Sequence, residues 1–161
     1  MLGDVKLSPS PGDDATPIEN LEYELRVKTV KMAYAMGKTS AECDGGDPEP
    51  GPGTTVKCTV TYRGVKVPWT VTIKGAGFLP GLVEYDAVPA MGVITREGAI
   101  RFYWGNNVTG RQVRCSDIPA VELVPLNRPT RYQCEIYPNV KESLQVTDSG
   151  PRFYPTAARG D

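Results

Sequence analysis

The 161-residue chain contains no histidine. This removes the usual general base of neutral-pH catalysis and the commonest nitrogen ligand for metals. Long apolar runs are missing too, so no transmembrane helix is expected. Nor is basic charge concentrated anywhere: up to Pro80 there are nine basic and ten acidic residues, and nine of each follow. Nucleic acids and anionic membranes are held by a concentrated basic field, so no nucleic-acid partner is expected. The opening MLGDVKLSPSPGDDATP has neither the basic nor the apolar region of a signal peptide. Its Ser/Pro/Asp composition reads as a flexible tether over residues 1–16, the kind of segment that joins a membrane anchor to a folded domain.

What is present points to a folded, turn-rich protein. The apolar fraction of 40%, with eight Tyr, three Phe and two Trp, suffices for a core, while 15 Pro and 17 Gly interrupt long helices. The chain also resembles itself. CTVTYRGVKVPWTVTIKG from Cys58 aligns with CEIYPNVKESLQVTDSG from Cys134 once one turn residue is dropped, pairing Val65 with Val140 and Val71 with Val146. GAGFLP at Gly75 then matches GPRFYP at Gly150, and upstream Cys43 matches Cys115. Such self-similarity predicts two tandem units, 17–82 and 88–156, joined by a linker at 83–87 and followed by a disordered tail at 157–161.

Each unit carries a hairpin signature. Val56, Cys58, Val60 and Tyr62 alternate with polar residues, Arg63-Gly64 turns the chain, and Val65, Val67, Trp69, Val71 and Ile73 alternate again. Pro68 suits an edge strand. In the second unit Tyr132, Cys134 and Ile136 lead through Pro138-Asn139 to Val140, Leu144 and Val146. The segments before the first cysteines read two ways. Thr16, Pro17 and Glu19 form a helix start and Gly37 a stop, yet Leu21, Tyr23, Leu25 and Val27 also alternate as a strand would. Ala99, Ile100, Tyr103 and Trp104 fit one helix face, while Ile100, Phe102 and Trp104 fit a strand. The start and stop signals favour helices. The expected fold class is therefore α+β, two tandem repeats, each a helix packed on a small antiparallel sheet with one disulfide. The alternative is all-β tandem sandwich-like units.

Four cysteines allow three pairings, and the repeat selects Cys43 with Cys58 and Cys115 with Cys134. Intervals of 14, 56 and 18 residues between successive cysteines suit a tetrahedral zinc site poorly, and a catalytic thiol would lack a histidine base. Reduced structural cysteines are the remaining alternative. Two disulfides of this span, each contributing roughly 3 kcal/mol, imply an oxidising compartment.

The stretch VKCTVTYRGVKVPWTVTIKG, preceded by a helix-like segment and a first cysteine, resembles the small secreted or lipoprotein domains of unknown function common in actinobacteria. VRCSDIPAVELVPLNRPTRYQCEI resembles them less, because its inter-cysteine loop is longer and lacks Pro-Gly before the second cysteine. The resemblance implies an envelope location, extracellular or on the outer face, and assigns no catalytic residue.

Candidate sites are few. Asp44, Asp47 and Glu49 lie between cysteines but lack a calcium-loop register and sit among prolines, so a solvated loop is the expectation. RFYWGNN, Arg101 to Asn107, interleaves basic and aromatic residues. Arg101, Tyr103 and Trp104 are the candidate partner-binding residues, weighed against the reading that the aromatics fill a core. Asn107-Val108-Thr109 is a glycosylation sequon and Arg159-Gly160-Asp161 an integrin-type tripeptide, both short enough to arise by chance. No cofactor or metal is expected. The expected function is a non-enzymatic binding or structural module whose partner is another protein or a cell-envelope component; the alternative is a secreted enzyme inhibitor, with an enzyme third.

Overall fold

The computed structural model describes residues 2–44, 51–76, 83–106, 112–136 and 141–156. Helix α1 (Pro17–Ala33) is capped by the Thr16 hydroxyl, which accepts from the Glu19 amide at 3.2 Å, with Pro17 in the first turn. It buries Leu21, Leu25, Thr29, Val30 and Ala33, so the helical spacing wins over the competing strand alternation. It ends before the expected Gly37. Tyr34 adopts a left-handed conformation and its amide bonds back to the Lys31 carbonyl. Gly37 serves close packing instead, since a Cβ there would lie 2.7 Å from Arg63 Cγ.

A four-stranded antiparallel sheet follows, formed in order by β1 (Thr39–Cys43), β2 (Thr55–Tyr62), β3 (Val65–Ala76) and β4 (Val83–Pro89). The β2–β3 turn is the predicted Arg63-Gly64, both with positive φ, which matches the twist of a two-residue hairpin. Pro68 departs from expectation because β3 is an interior strand. It is accommodated because pairing with β4 begins only at Trp69, while the Pro68 carbonyl accepts from Ala90 at 2.9 Å. The expected linker at 83–87 lies inside β4. Glu84 and Asp86 face out and alternate with half-buried Tyr85 and Ala87, which is strand patterning.

Beyond β4 come β5 (Gly92–Ile94), α2 (Arg96–Asn106), β6 (Val113–Cys115), β7 (Glu122–Val124), β8 (Gln133–Ile136), β9 (Lys141–Thr147) and β10 (Gly150–Pro155). Strands β6, β8, β9 and β10 form a second four-stranded antiparallel sheet, and β5 pairs with β7. Both disulfides form, Cys43–Cys58 and Cys115–Cys134, each between directly opposed residues of neighbouring strands. The protein is thus a mixed α+β fold, mostly β, with two disulfides.

The parts share one core. Buried residues of α1, both four-stranded sheets and the β5–β7 pair belong to a single cluster, from Leu21 and Trp69 to Ile94, Leu144 and Val146. Helix α1 lies against β1 and β2 and also against β5 and β10, so it serves both sheets. Trp69 Nε1 donates to Thr29 Oγ1 at 3.1 Å, pinning α1 to the first sheet. The expected flexible tether is also engaged. Leu7 is buried, and the Arg26 guanidinium donates to the Ser8 and Pro9 carbonyls at 2.9 and 2.8 Å. A buried arginine needs acceptors, and the arm supplies them. The sequon Asn107–Thr109, Asp47, Glu49, the Pro138-Asn139 turn and the Arg159–Asp161 tripeptide lie outside the described residues.

Candidate functional site

Helix α2 starts at Thr95, whose hydroxyl accepts from the Gly98 amide at 2.9 Å and donates to the Ala33 carbonyl of α1 at 3.0 Å. One hydroxyl therefore caps one helix and terminates the other. Gly98 permits this approach, since a Cβ at that position would sit 2.1 Å from the Ala33 carbonyl oxygen. The inward side of α2 carries Ala99 and Tyr103, and Tyr103 meets Phe153 of β10 edge-on at 4.7 Å between ring centres. The outward side is the stripe Glu97, Ile100, Arg101 and Trp104, spaced three and four apart.

Glu97 sits between two guanidinium groups, Arg63 at 2.8 Å and Arg101 at 2.7 Å. Chiefly the Arg63 hydrogen bond, with help from Arg101, holds its carboxyl below the usual range. The same arginines reach the end of α1. Arg101 donates to the Tyr34 carbonyl at 2.9 Å, Arg63 Nε donates to the Met36 carbonyl at 3.2 Å, and between them the Tyr62 hydroxyl donates to the Ala35 carbonyl at 2.7 Å. Burial pushes the Tyr62 hydroxyl up to about 12, so it stays protonated as a donor. Cations at a helix C-terminus are favourably placed against its dipole.

Beside this cluster lies an open depression of about 490 Å³, lined by Arg63, Arg96, Glu97, Ile100, Arg101 and Ala120. Arg96 donates to the Ile118 carbonyl at 2.6 Å and pairs with exposed Asp117 at 3.3 Å, which fixes the loop forming the far wall. Of the sequence-proposed residues, Arg101 lines the depression and Trp104, 45% exposed, stands on the same helix face. Tyr103 is 1% exposed and belongs to the core, so it leaves the set of surface candidates. Local sequence reading missed Arg63, Arg96, Glu97 and Ile100. The Glu97–Arg101 spacing was a visible signal, whereas Arg63 arrives from a distant hairpin turn.

The other exposed large apolar side chains described are Met36, Val88 and Tyr154. Among the described residues, no group of three acidic or thiol side chains converges as a metal site would, and no helix is long and apolar enough to cross a membrane. No protein-family model, curated protein or solved structure matches the chain.

Proposed function

We propose that the chain is a non-enzymatic extracellular binding module whose α2 face docks a protein partner through Arg96, Ile100 and Trp104. The observation that carries this reading is the half-exposed Trp104 on the same helix face as an arginine-lined depression that Ile100 and Ala120 also line. Tryptophan and arginine are the residue types on which interface energy concentrates. Three guanidinium groups against the carboxylates of Glu97 and Asp117 leave the face net positive, so the partner presents acidic side chains there. Two disulfides fit an oxidising compartment. Placement at the outer face of the envelope draws on the resemblance of residues 56–75 to secreted and lipoprotein domains.

We also propose that the two sheets arose as tandem copies. Each is a four-stranded antiparallel sheet that follows a helix and has its disulfide between the sheet's first two strands in chain order, although in the second β7 leaves between those strands to pair with β5. The copies have drifted. Cys58 opposes Trp69, whereas Cys134 opposes Glu142, a shorter hairpin, and Gly75 lies near the end of β3 while Gly150 opens β10.

The test is affinity capture from culture medium and cell-surface extract with the disulfide-intact protein, beside Trp104→Ala and Arg96→Ala variants and a Tyr154→Ala control. One stoichiometric species lost with the α2 variants and kept with the control is expected. Equal recovery by all four proteins refutes the assignment of the α2 face. Recovery of an enzyme whose activity the protein suppresses would establish the inhibitor instead.

A further inference from the structure

The sheets differ in how their edges are protected. Open strand edges invite pairing with other chains, and proteins blunt them with prolines, bulges, lysines or short length. Strand β10 carries Pro151 and Pro155, β6 has three residues, and β4 ends in Pro89 and faces a register shift of β3 at Ile73/Gly75 opposite Tyr85 and Glu84. Strand β1, Thr-Ser-Ala-Glu-Cys, has none of these features. The Asp44 amide bonds the Lys57 carbonyl and the Arg63 amide bonds the Lys38 carbonyl, so alternate residues of β1 pair with β2. Thr39, Ala41 and Cys43 therefore direct their amides and carbonyls away from the sheet. The Cys43 amide already donates there, to Glu22 Oε1 at 3.3 Å.

That edge borders a groove of about 290 Å³, walled by Pro9–Pro11 of the N-terminal arm, by Glu19, Glu22 and Arg26 of α1, and by Thr39–Ala41. Arg26 ties the arm to α1 and, through Nε donating to Thr39 Oγ1 at 2.9 Å, to the strand as well, which fixes the walls of the groove relative to one another. Small side chains at Ser40 and Ala41 leave the edge accessible. The charge is acidic, since Glu19, Glu22 and nearby Glu42 outnumber Arg26, and burial with the two neighbouring carboxylates raises the Glu22 carboxyl.

We propose that this groove accepts an extended basic segment of a partner protein, added as an outer strand on β1 with a Lys or Arg side chain reaching Glu19 and Glu22. Backbone pairing supplies affinity and the carboxylates choose the side chain. A second copy of β1 is disfavoured because it would bring two acidic grooves together. The site lies toward the N-terminal half of α1, roughly 16 Å along the helix from the Ala33 end where α2 docks. It is thus separate from the α2 face, and the two readings fail separately.

The test uses ¹⁵N-labelled full-length protein titrated with acetyl-VTKVTV-amide and with its Lys→Glu counterpart. The basic peptide is expected to shift the Thr39, Ala41 and Cys43 amides and to bind about tenfold more tightly than the acidic one. Glu22→Gln, which keeps an acceptor for the Cys43 amide, narrows that ratio. Ala41→Pro, tolerated where a strand nitrogen faces outward, abolishes binding while the far-ultraviolet spectrum and both disulfides persist. Equal affinity for the two peptides, shifts confined to other strands, unchanged binding by Ala41→Pro, or no binding to about 1 mM overturns the proposal.

Discussion

Replacing Gly98 by alanine sets two effects of opposite sign against each other. Intrinsic propensity favours alanine in a helix by about 1 kcal/mol, so Gly98→Ala would stabilise an isolated α2. Here, however, the new Cβ would stand 2.1 Å from the Ala33 carbonyl oxygen, and ordinary contact begins at 3.4 Å. The obstacle is backbone, so α2 must withdraw from α1 by roughly 1 Å, and overpacking of this kind costs about 1–3 kcal/mol. Withdrawal stretches the Thr95–Ala33 and Arg101–Tyr34 hydrogen bonds, at 3.0 and 2.9 Å, each contributing about 0.5–1.5 kcal/mol. The net expectation is destabilisation by about 2–4 kcal/mol, measured by urea unfolding under non-reducing conditions. Gly105→Ala is the internal control, because nothing lies within 4 Å of its Cβ position. It should stabilise the protein by up to about 1 kcal/mol. A Gly98→Ala protein as stable as the wild type would refute the close approach of the two helices.

Two further outcomes follow from the charges and bridges. Because Arg63 and Arg101 hold the Glu97 carboxyl below the usual carboxylate range, its contribution is present above that range and is lost as pH falls through the lower folded value. Glu97 is half exposed, so the contribution is under about 1 kcal/mol; stability curves of wild type and Glu97→Gln should converge as pH falls below the usual carboxylate range, and parallel curves would count against it. Removing Cys43 and Cys58 together opens a bridge of separation 15 and should cost about 3 kcal/mol in guanidinium unfolding. Loss of both bridges would consume much of the roughly 5–15 kcal/mol typical of a folded domain, and a fully reduced protein with unchanged midpoint would contradict this.

Much of this fold could be read locally. The Thr16-Pro17-Glu19 start of α1, the β2–β3 alternation and the Arg63-Gly64 turn each depend on neighbours within a few residues, and each appears where expected. The disulfide partners followed from the self-alignment. What escaped was non-local. Gly37 looked like a helix stop because glycine serves both as terminator and as packing gap, and only the approach of Arg63 distinguishes the two. Residues 83–87 resembled a connector because a strand exposed on one face carries Glu84 and Asp86 like a loop. Tyr103 and Trp104 are adjacent, yet one is core and the other surface, since the helix turns them about 100° apart and β10 covers only one side. The arginine-lined depression assembles residues from a hairpin turn, a helix and a loop, which no local spacing encodes.

The carbonyls at the end of α1 and just beyond it have consequences for how the molecule comes apart. Those of Ala33, Tyr34, Ala35 and Met36 are each met by a side chain from beyond the helix: Thr95, Arg101, Tyr62 and Arg63 respectively. Two of these donors come from the first sheet's hairpin and two from the segment leading into the second sheet. Excising either half would strand polar groups on the other, so neither half is a transferable cassette. Whatever their ancestry, the two sheets should melt in one transition.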